Sequence, residues 1–138
     1  MNRRGFLAAA GSAVTVSLAG CAGVGGEQPG DVQMRAVSFD PAEYTVSVGD
    51  EVVWHNPSTR SHTVTAYEAS IPDEAEYFAS GGYESEAAAR EGWTGGNFGG
   101  AITSGETYSH TFEVPGTYEY VCIPHEQGGM LGTVVVEE

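Results

Sequence analysis

Cys122-Ile123-Pro124-His125-Glu126-Gln127-Gly128-Gly129-Met130 places a thiol, an imidazole and a thioether in a nine-residue span. On either side lie runs with strand character, Gly116-Thr117-Tyr118-Glu119-Tyr120-Val121 and Leu131-Gly132-Thr133-Val134-Val135-Val136. The spacing predicts two strands joined by a loop that aims all three donors at one point. Zinc and copper both accept thiolate and imidazole, but two histidines, one cysteine and a weak, long axial methionine are the donors of a mononuclear copper site that exchanges electrons. One histidine must come from elsewhere. His55, His62 and His110 compete for the place. His62 is the strongest candidate, because the polar turn 56–61 passes there into the alternating run Ser61-His62-Thr63-Val64-Thr65. A ligand at a strand end is held by rigid backbone. A lone cysteine in a β-domain is commonly an inert core thiol, and a methionine after glycines commonly fills core. The joint spacing outweighs both readings.

From Val32 onward the chain is a series of short β-type runs, with strands expected near 32–38, 44–48, 51–55, 62–66, 106–113, 117–121 and 131–136. Asp40-Pro41, Gly49-Asp50 and Val114-Pro115-Gly116-Thr117 supply turn residues between them. Regular short strands with such turns predict an all-β sandwich or barrel. His55 follows Trp54 at a strand end, and His110 alternates in phase with Tyr108 and Phe112, so both read as structural. Tyr118 reads as a tyrosine that pins a corner. Segment 71–100 breaks the rhythm. Pro72 with Asp73, Glu74 and Glu76 ahead of Gly81-Gly82 predicts one short helix. Ser85–Glu91, stopped by Gly92, predicts a second, and 92–100 reads as a loop pinned by Trp93 and Phe98.

Cys-x-x-His-x-x-x-x-Met ahead of a Gly-Thr-Val-Val-Val strand, with an upstream histidine opening another strand, resembles the plastocyanin branch of the cupredoxins. Tyr44-Thr45-Val46-Ser47-Val48-Gly49-Asp50, Val52-Val53-Trp54 and Gly116-Thr117-Tyr118 extend the match over roughly 32–138. The resemblance is greatest to the halocyanins, acidic haloarchaeal members of that branch. It implies a Greek-key cupredoxin β-sandwich of seven to eight strands with a short helical or irregular insert. It also implies one copper ion per chain, with His62, Cys122, His125 and Met130 as ligands, shuttling single electrons between membrane-bound or peripheral redox proteins. Val121 stands where plastocyanins usually carry a second aromatic before the cysteine, so the implied electron path is the edge of His125.

The first residues, Met1-Asn2-Arg3-Arg4-Gly5-Phe6-Leu7, pair two arginines with an apolar run lasting to about Ala19. That run is too short for a stable membrane span and predicts a secretion signal over 1–20 of the twin-arginine type. Leu18-Ala19-Gly20-Cys21 resembles a lipobox. Cleavage before Cys21 and lipidation of its thiol would tether the protein to the outer face of the membrane, through a flexible linker ending near residue 30. The domain would then span 31–138. With Cys21 and Cys122 the only cysteines, no structural disulfide is expected.

All 19 acidic residues follow Cys21, while Arg35, Arg60 and Arg90 are the cations that remain, giving a formal charge of 3 − 19 = −16 after cleavage. There is no lysine. Such self-repulsion suits a salty medium, where the Debye length falls to about 3 Å near 1 M, and it excludes nucleic acid as a partner. An enzyme reading fails for want of further histidines for additional copper sites, and no nucleophile–histidine–acid set is legible. Copper delivery or storage is the alternative, yet it favours Met-rich or His-rich exchangeable donors, and this chain has three methionines. A monomeric electron carrier is the expectation.

Overall fold

A computed structural model describes residues 30–138. The expected signal, lipobox and linker, with Cys21, lie outside the described residues. Eight strands are found among them: β1 Val32–Met34, β2 Phe39–Asp40, β3 Glu43–Ser47, β4 Glu51–His55, β5 Thr65–Ala66, β6 Thr107–Thr111, β7 Gly116–Val121 and β8 Leu131–Glu137. They form two four-stranded sheets, ordered β2-β1-β4-β6 and β3-β8-β7-β5. The pairs β1–β4 and β3–β8 are parallel, and the remaining pairs are antiparallel.

Period-two alternation decides which faces meet. On β8, Gly132, Val134 and Val136 point inward, while Leu131 and Glu137 point to solvent. On β7, Tyr118 and Tyr120 are inward and Thr117 and Glu119 outward. Val52 and Trp54 of β4 close the layer from the opposite sheet. Aromatic rings bridge the two sheets, with Trp54 edge-on to Tyr120 at 5.4 Å and Phe39 edge-on to Tyr120 at 4.6 Å. Gly132 leaves the room Tyr120 needs, since a Cβ there would run into its ring. Tyr118 donates its hydroxyl to the Val114 carbonyl at 2.6 Å, pinning the corner before β7 as its sequence context predicts.

Three expectations for segment 62–100 need correction. The strand over 62–66 is reduced to Thr65–Ala66, because the backbones of His62 and Val64 bond to Ile102 and Ser80 and not to a neighbouring strand. His62 exchanges both backbone bonds with Ile102, Val64 accepts from the Ser80 amide, and the Ala66 amide donates to Phe78. The insert thus covers this edge of the sheet. The helix expected after Pro72 is replaced by a single turn closed by Ala75 on the Pro72 carbonyl, followed by extended chain that bridges Thr65 at Ala79. A helix so short has little stability of its own, and extension lets Phe78 stack on Trp54 and His110. The second expected helix is present as α1, Glu86–Gly92, with the Ser85 hydroxyl accepting from the Ala88 amide as N-cap. Gly92 does not stop it; a wide turn continues through Asn97. Gly92 and Gly99 are needed for a different reason, since a Cβ at either would strike the Tyr83 ring system. Trp93 and Phe98 pair edge-to-face at 5.1 Å, although Phe98 remains 61% exposed.

Candidate metal centre

β7 ends at Val121, and Cys122 begins the loop that returns the chain into β8. The loop is cross-braced on its own backbone. The Cys122 amide donates to the Met130 carbonyl at 3.1 Å, Met130 donates to His125 at 3.2 Å, and His125 donates to Cys122 at 3.1 Å. Ile123–Gly128 wind as tight turns, started by Pro124 and ended by Gly129 in the left-handed region at φ 86°. From the other side, the His62 segment arrives on its bonds to Ile102. The Thr63 amide donates to Cys122 Sγ at 3.4 Å, and Thr63 Oγ1 accepts from the Ile123 amide at 2.9 Å. Two distant pieces of chain are thereby stitched together beside the sulfur.

His62, Cys122 and His125 place their donor atoms within 4.8 Å of one another. Cys122 Sγ lies 3.5 Å from His62 Nδ1 and 3.4 Å from His125 Nδ1. Metal–thiolate and metal–imidazole bonds of about 2.3 and 2.0–2.1 Å, at angles between tetrahedral and trigonal, span donor edges of about 3.6–3.8 Å. The two sulfur–nitrogen edges therefore lie within a few tenths of an ångström of the separation a bound ion requires. Met130 is fully buried at the end of the same loop. The protein thus offers one thiolate sulfur and two imidazole nitrogens, with a thioether side chain next to them in the chain. That donor chemistry fits copper.

Cys122 and His62 are fully buried, and His125 is half-buried. Burial pushes the Cys122 thiol up to about 11, against the pull of hydrogen bonds from Thr63 and His125. Burial, with His125 beside it, pulls His62 down to about 4. His125 is lowered as well, by burial and then by the Arg60 charge. In the metal-free protein at neutral pH the two rings are neutral and the thiol keeps its proton.

Asn56 and Ser58 are the polar residues that sequence reading passes over. Ser58 Oγ donates to Asn56 Oδ1 at 2.7 Å, so it is free to accept from His62 Nε2–H at 3.1 Å. That bond leaves Nδ1 as the unprotonated nitrogen facing the sulfur. Asn56, fully buried, donates to the Arg60 and Ile102 carbonyls at 2.6 and 2.8 Å, and its oxygen also accepts from the Ser58 amide. Such partners fix the tautomer and aim of a ligating ring. The available signal was the run Asn56-Pro57-Ser58, which reads on its own as an ordinary turn.

The remaining histidines stay apart from this cluster. His55 Nδ1 pairs with Gln33 Oε1 at 2.8 Å. His110 stacks on Phe78 at 4.7 Å and meets Phe112 edge-on at 4.8 Å.

Residues 29–137 match the family described as copper binding proteins, plastocyanin/azurin family. The plastocyanin of Scenedesmus fuscus is 31% identical over 102 residues, which cover 74% of this chain and 89% of that protein. Amicyanin-alpha of Methylorubrum extorquens is 32% identical over 108 residues, covering 78% of this chain and 71% of that protein. In three dimensions, pseudoazurin from Methylobacterium extorquens AM1 superimposes with a TM-score of 0.54 at 25% identity, over 78% of this chain and 73% of that one. These likenesses agree with the two-sheet cupredoxin architecture and with the copper chemistry of the donor set.

Proposed function

Because the chain belongs to the plastocyanin/azurin family of copper-binding proteins, we propose that it carries single electrons on one copper ion held by His62, Cys122, His125 and Met130. Cupredoxins are electron carriers, not enzymes. The observation that carries the reading is the convergence of Cys122 Sγ with the two Nδ1 atoms, already gathered by backbone bonds. Copper, when bound, supplies the Cu(I)/Cu(II) couple. Cys122 loses its thiol proton to become a ligand. His62 is held in one tautomer by Ser58, and Met130 offers a soft, weak donor that helps keep Cu(I) competitive. Because Thr63, Ile102 and the loop's own carbonyls fix the backbone, the donors need move little when the charge changes. His125, half-buried beside exposed Gly128 and Gly129, is the edge through which we route the electron.

The finer reading is that of a halocyanin-like carrier. The acidic composition and the Cys21 motif support a protein lipid-anchored to the outer face of the membrane, exchanging electrons with membrane redox proteins and acting as a monomer. A single acyl chain binds membranes reversibly, so a stable anchor would carry a second lipid on Cys21.

Protein-film voltammetry on the copper-loaded full chain tests the carrier function. We expect one reversible one-electron wave whose shape persists to fast scan rates. An irreversible wave, together with ready transfer of the copper to a chelator, would favour delivery or storage.

A further inference from the structure

The insert reaches the metal loop through one side chain. Arg90, on α1, directs its guanidinium fork onto both oxygens of Glu126, with Nη1 to Oε1 at 2.8 Å and Nη2 to Oε2 at 3.1 Å. Glu126 is the residue directly after His125. The Tyr67 hydroxyl donates to the same Glu126 Oε2 at 2.8 Å, and the Arg90 guanidinium lies 5.9 Å from the centre of the Tyr67 ring. Arg90 is itself held from behind, its Nε donating to Glu86 Oε2 at 2.9 Å. The start of α1 is locked to the chain after β5 by a reciprocal pair, Glu68 amide to Glu86 Oε1 at 2.9 Å and Glu86 amide to Glu68 Oε1 at 3.0 Å.

We propose that Arg90 is a positioning residue for the metal centre: the insert carries it to Glu126, and the forked pair holds the loop that presents His125. The inference rests on the copper reading for its consequence, though the clamp itself is a matter of side-chain contacts alone. Three features support it. Only three arginines are present in the chain after Cys21 and no lysine, and one of them stands at this point. The Arg90–Glu126 pair is about one-third exposed on both sides, too open to add much stability by charge alone, so its effect lies in direction. A bidentate fork between planar groups fixes orientation as well as distance, and here it acts one residue from a ring whose Nδ1 must face the sulfur.

The test uses the full chain as wild type, Arg90→Met, Glu126→Gln, Arg90→Lys and Tyr67→Phe. The first readout is amide hydrogen exchange in the metal-free protein at His125, Gly129 and Met130, whose amides close the loop. The second is the rate at which loaded Cu(II) is lost to a chelator. Groups hydrogen-bonded to a ligand commonly change metal affinity by 10–100-fold, and the Glu126 carboxylate, which acts through the backbone next to His125, belongs at the low end of that range. Arg90→Met and Glu126→Gln should therefore each speed loop exchange and copper loss by about tenfold, while exchange at Tyr118 and Val134 in the core stays at the wild-type rate. Arg90→Lys keeps the charge without the fork and should resemble Arg90→Met. Tyr67→Phe should act in the same direction, more weakly.

Opposite effects of Arg90→Met and Glu126→Gln on copper loss would mean that charge alone is felt, and would overturn the proposal. Unchanged loop exchange would overturn it too, as would core amides accelerating as much as the loop. Should Arg90→Met fail to fold, Arg90→Lys and Tyr67→Phe decide the question, and wild-type loop exchange in both refutes the clamp. A wild type that never binds Cu(II) through its thiolate would defeat the copper reading alone, since the exchange measurement needs no metal.

Discussion

Burial acts in opposite senses on the two kinds of donor at this site. It keeps the Cys122 thiol protonated up to about 11 and keeps His62 neutral down to about 4. Copper binding at neutral pH must therefore expel one proton, and that proton comes from Cys122. Titration calorimetry in buffers of different ionisation enthalpy should return about one proton released per copper near pH 8; a value near zero would contradict thiolate ligation. The same shifts contribute to the pH dependence of the stability of the metal-free protein. For His62, whose folded value lies below its unfolded one, the unfolded chain binds more protons between about 4 and 6.5, so stability falls as pH drops through that window. For Cys122 the folded value lies above the unfolded one, so stability is lost as pH rises from about 9 towards 11. A plateau between those limits is expected in thermal melts of the metal-free chain, and His62→Asn should flatten its acidic shoulder. At this scale the cluster was legible in the sequence because three donor-bearing residues share one loop, and His62 stood out by its strand-end context. Asn56, Ser58 and Arg90 were not legible. Their roles depend on contacts between residues far apart in the chain or on a hydroxyl that could face anywhere, and neither leaves a periodic trace.

Strand identity followed from alternation, and strand ends did not. Glu51–His55 came out at its expected limits and Leu131–Glu137 within one residue, because turn residues bound them, Gly49-Asp50 ahead of the first and Gly128-Gly129 ahead of the second. The 62–66 run has the right pattern, yet its hydrogen-bond partners lie in an insert whose path no local pattern reveals. Acidic residues after Pro72 favour a helix start, but burying Phe78 against Trp54 outweighs the small gain of a single helical stretch. The corner before β7 hangs on one hydroxyl. Tyr118→Phe leaves the Val114 carbonyl without its 2.6 Å donor, at a cost of about 0.5–1.5 kcal/mol. Chemical denaturation should show a lower midpoint with an unchanged slope, whereas an unchanged midpoint would mean the corner is held by packing alone.

Across the molecule, a formal charge of −14 on 138 residues, with all 19 acids after Cys21, is the dominant long-range term. No helix of the described residues is long and apolar enough to cross a membrane. Mutual repulsion among the carboxylates should relax as the Debye length shrinks from about 10 Å at 0.1 M salt to about 3 Å at 1 M. Thermal melts of the metal-free protein in potassium chloride should therefore shift upward over that range, a gain on the order of 1 kcal/mol moving Tm by about 4–8 °C. A flat or falling Tm would argue that the acids serve a docking face instead of a salty medium. The central claim concerns copper held through a thiolate. Its most direct test is the visible and EPR spectrum of the full chain in high salt, titrated with Cu(II), for wild type and Cys122→Ser. An intense thiolate-to-copper band with narrow copper hyperfine splitting is expected at one equivalent, lost in Cys122→Ser. A colourless adduct with an ordinary copper spectrum, unchanged by Cys122→Ser, would contradict that claim.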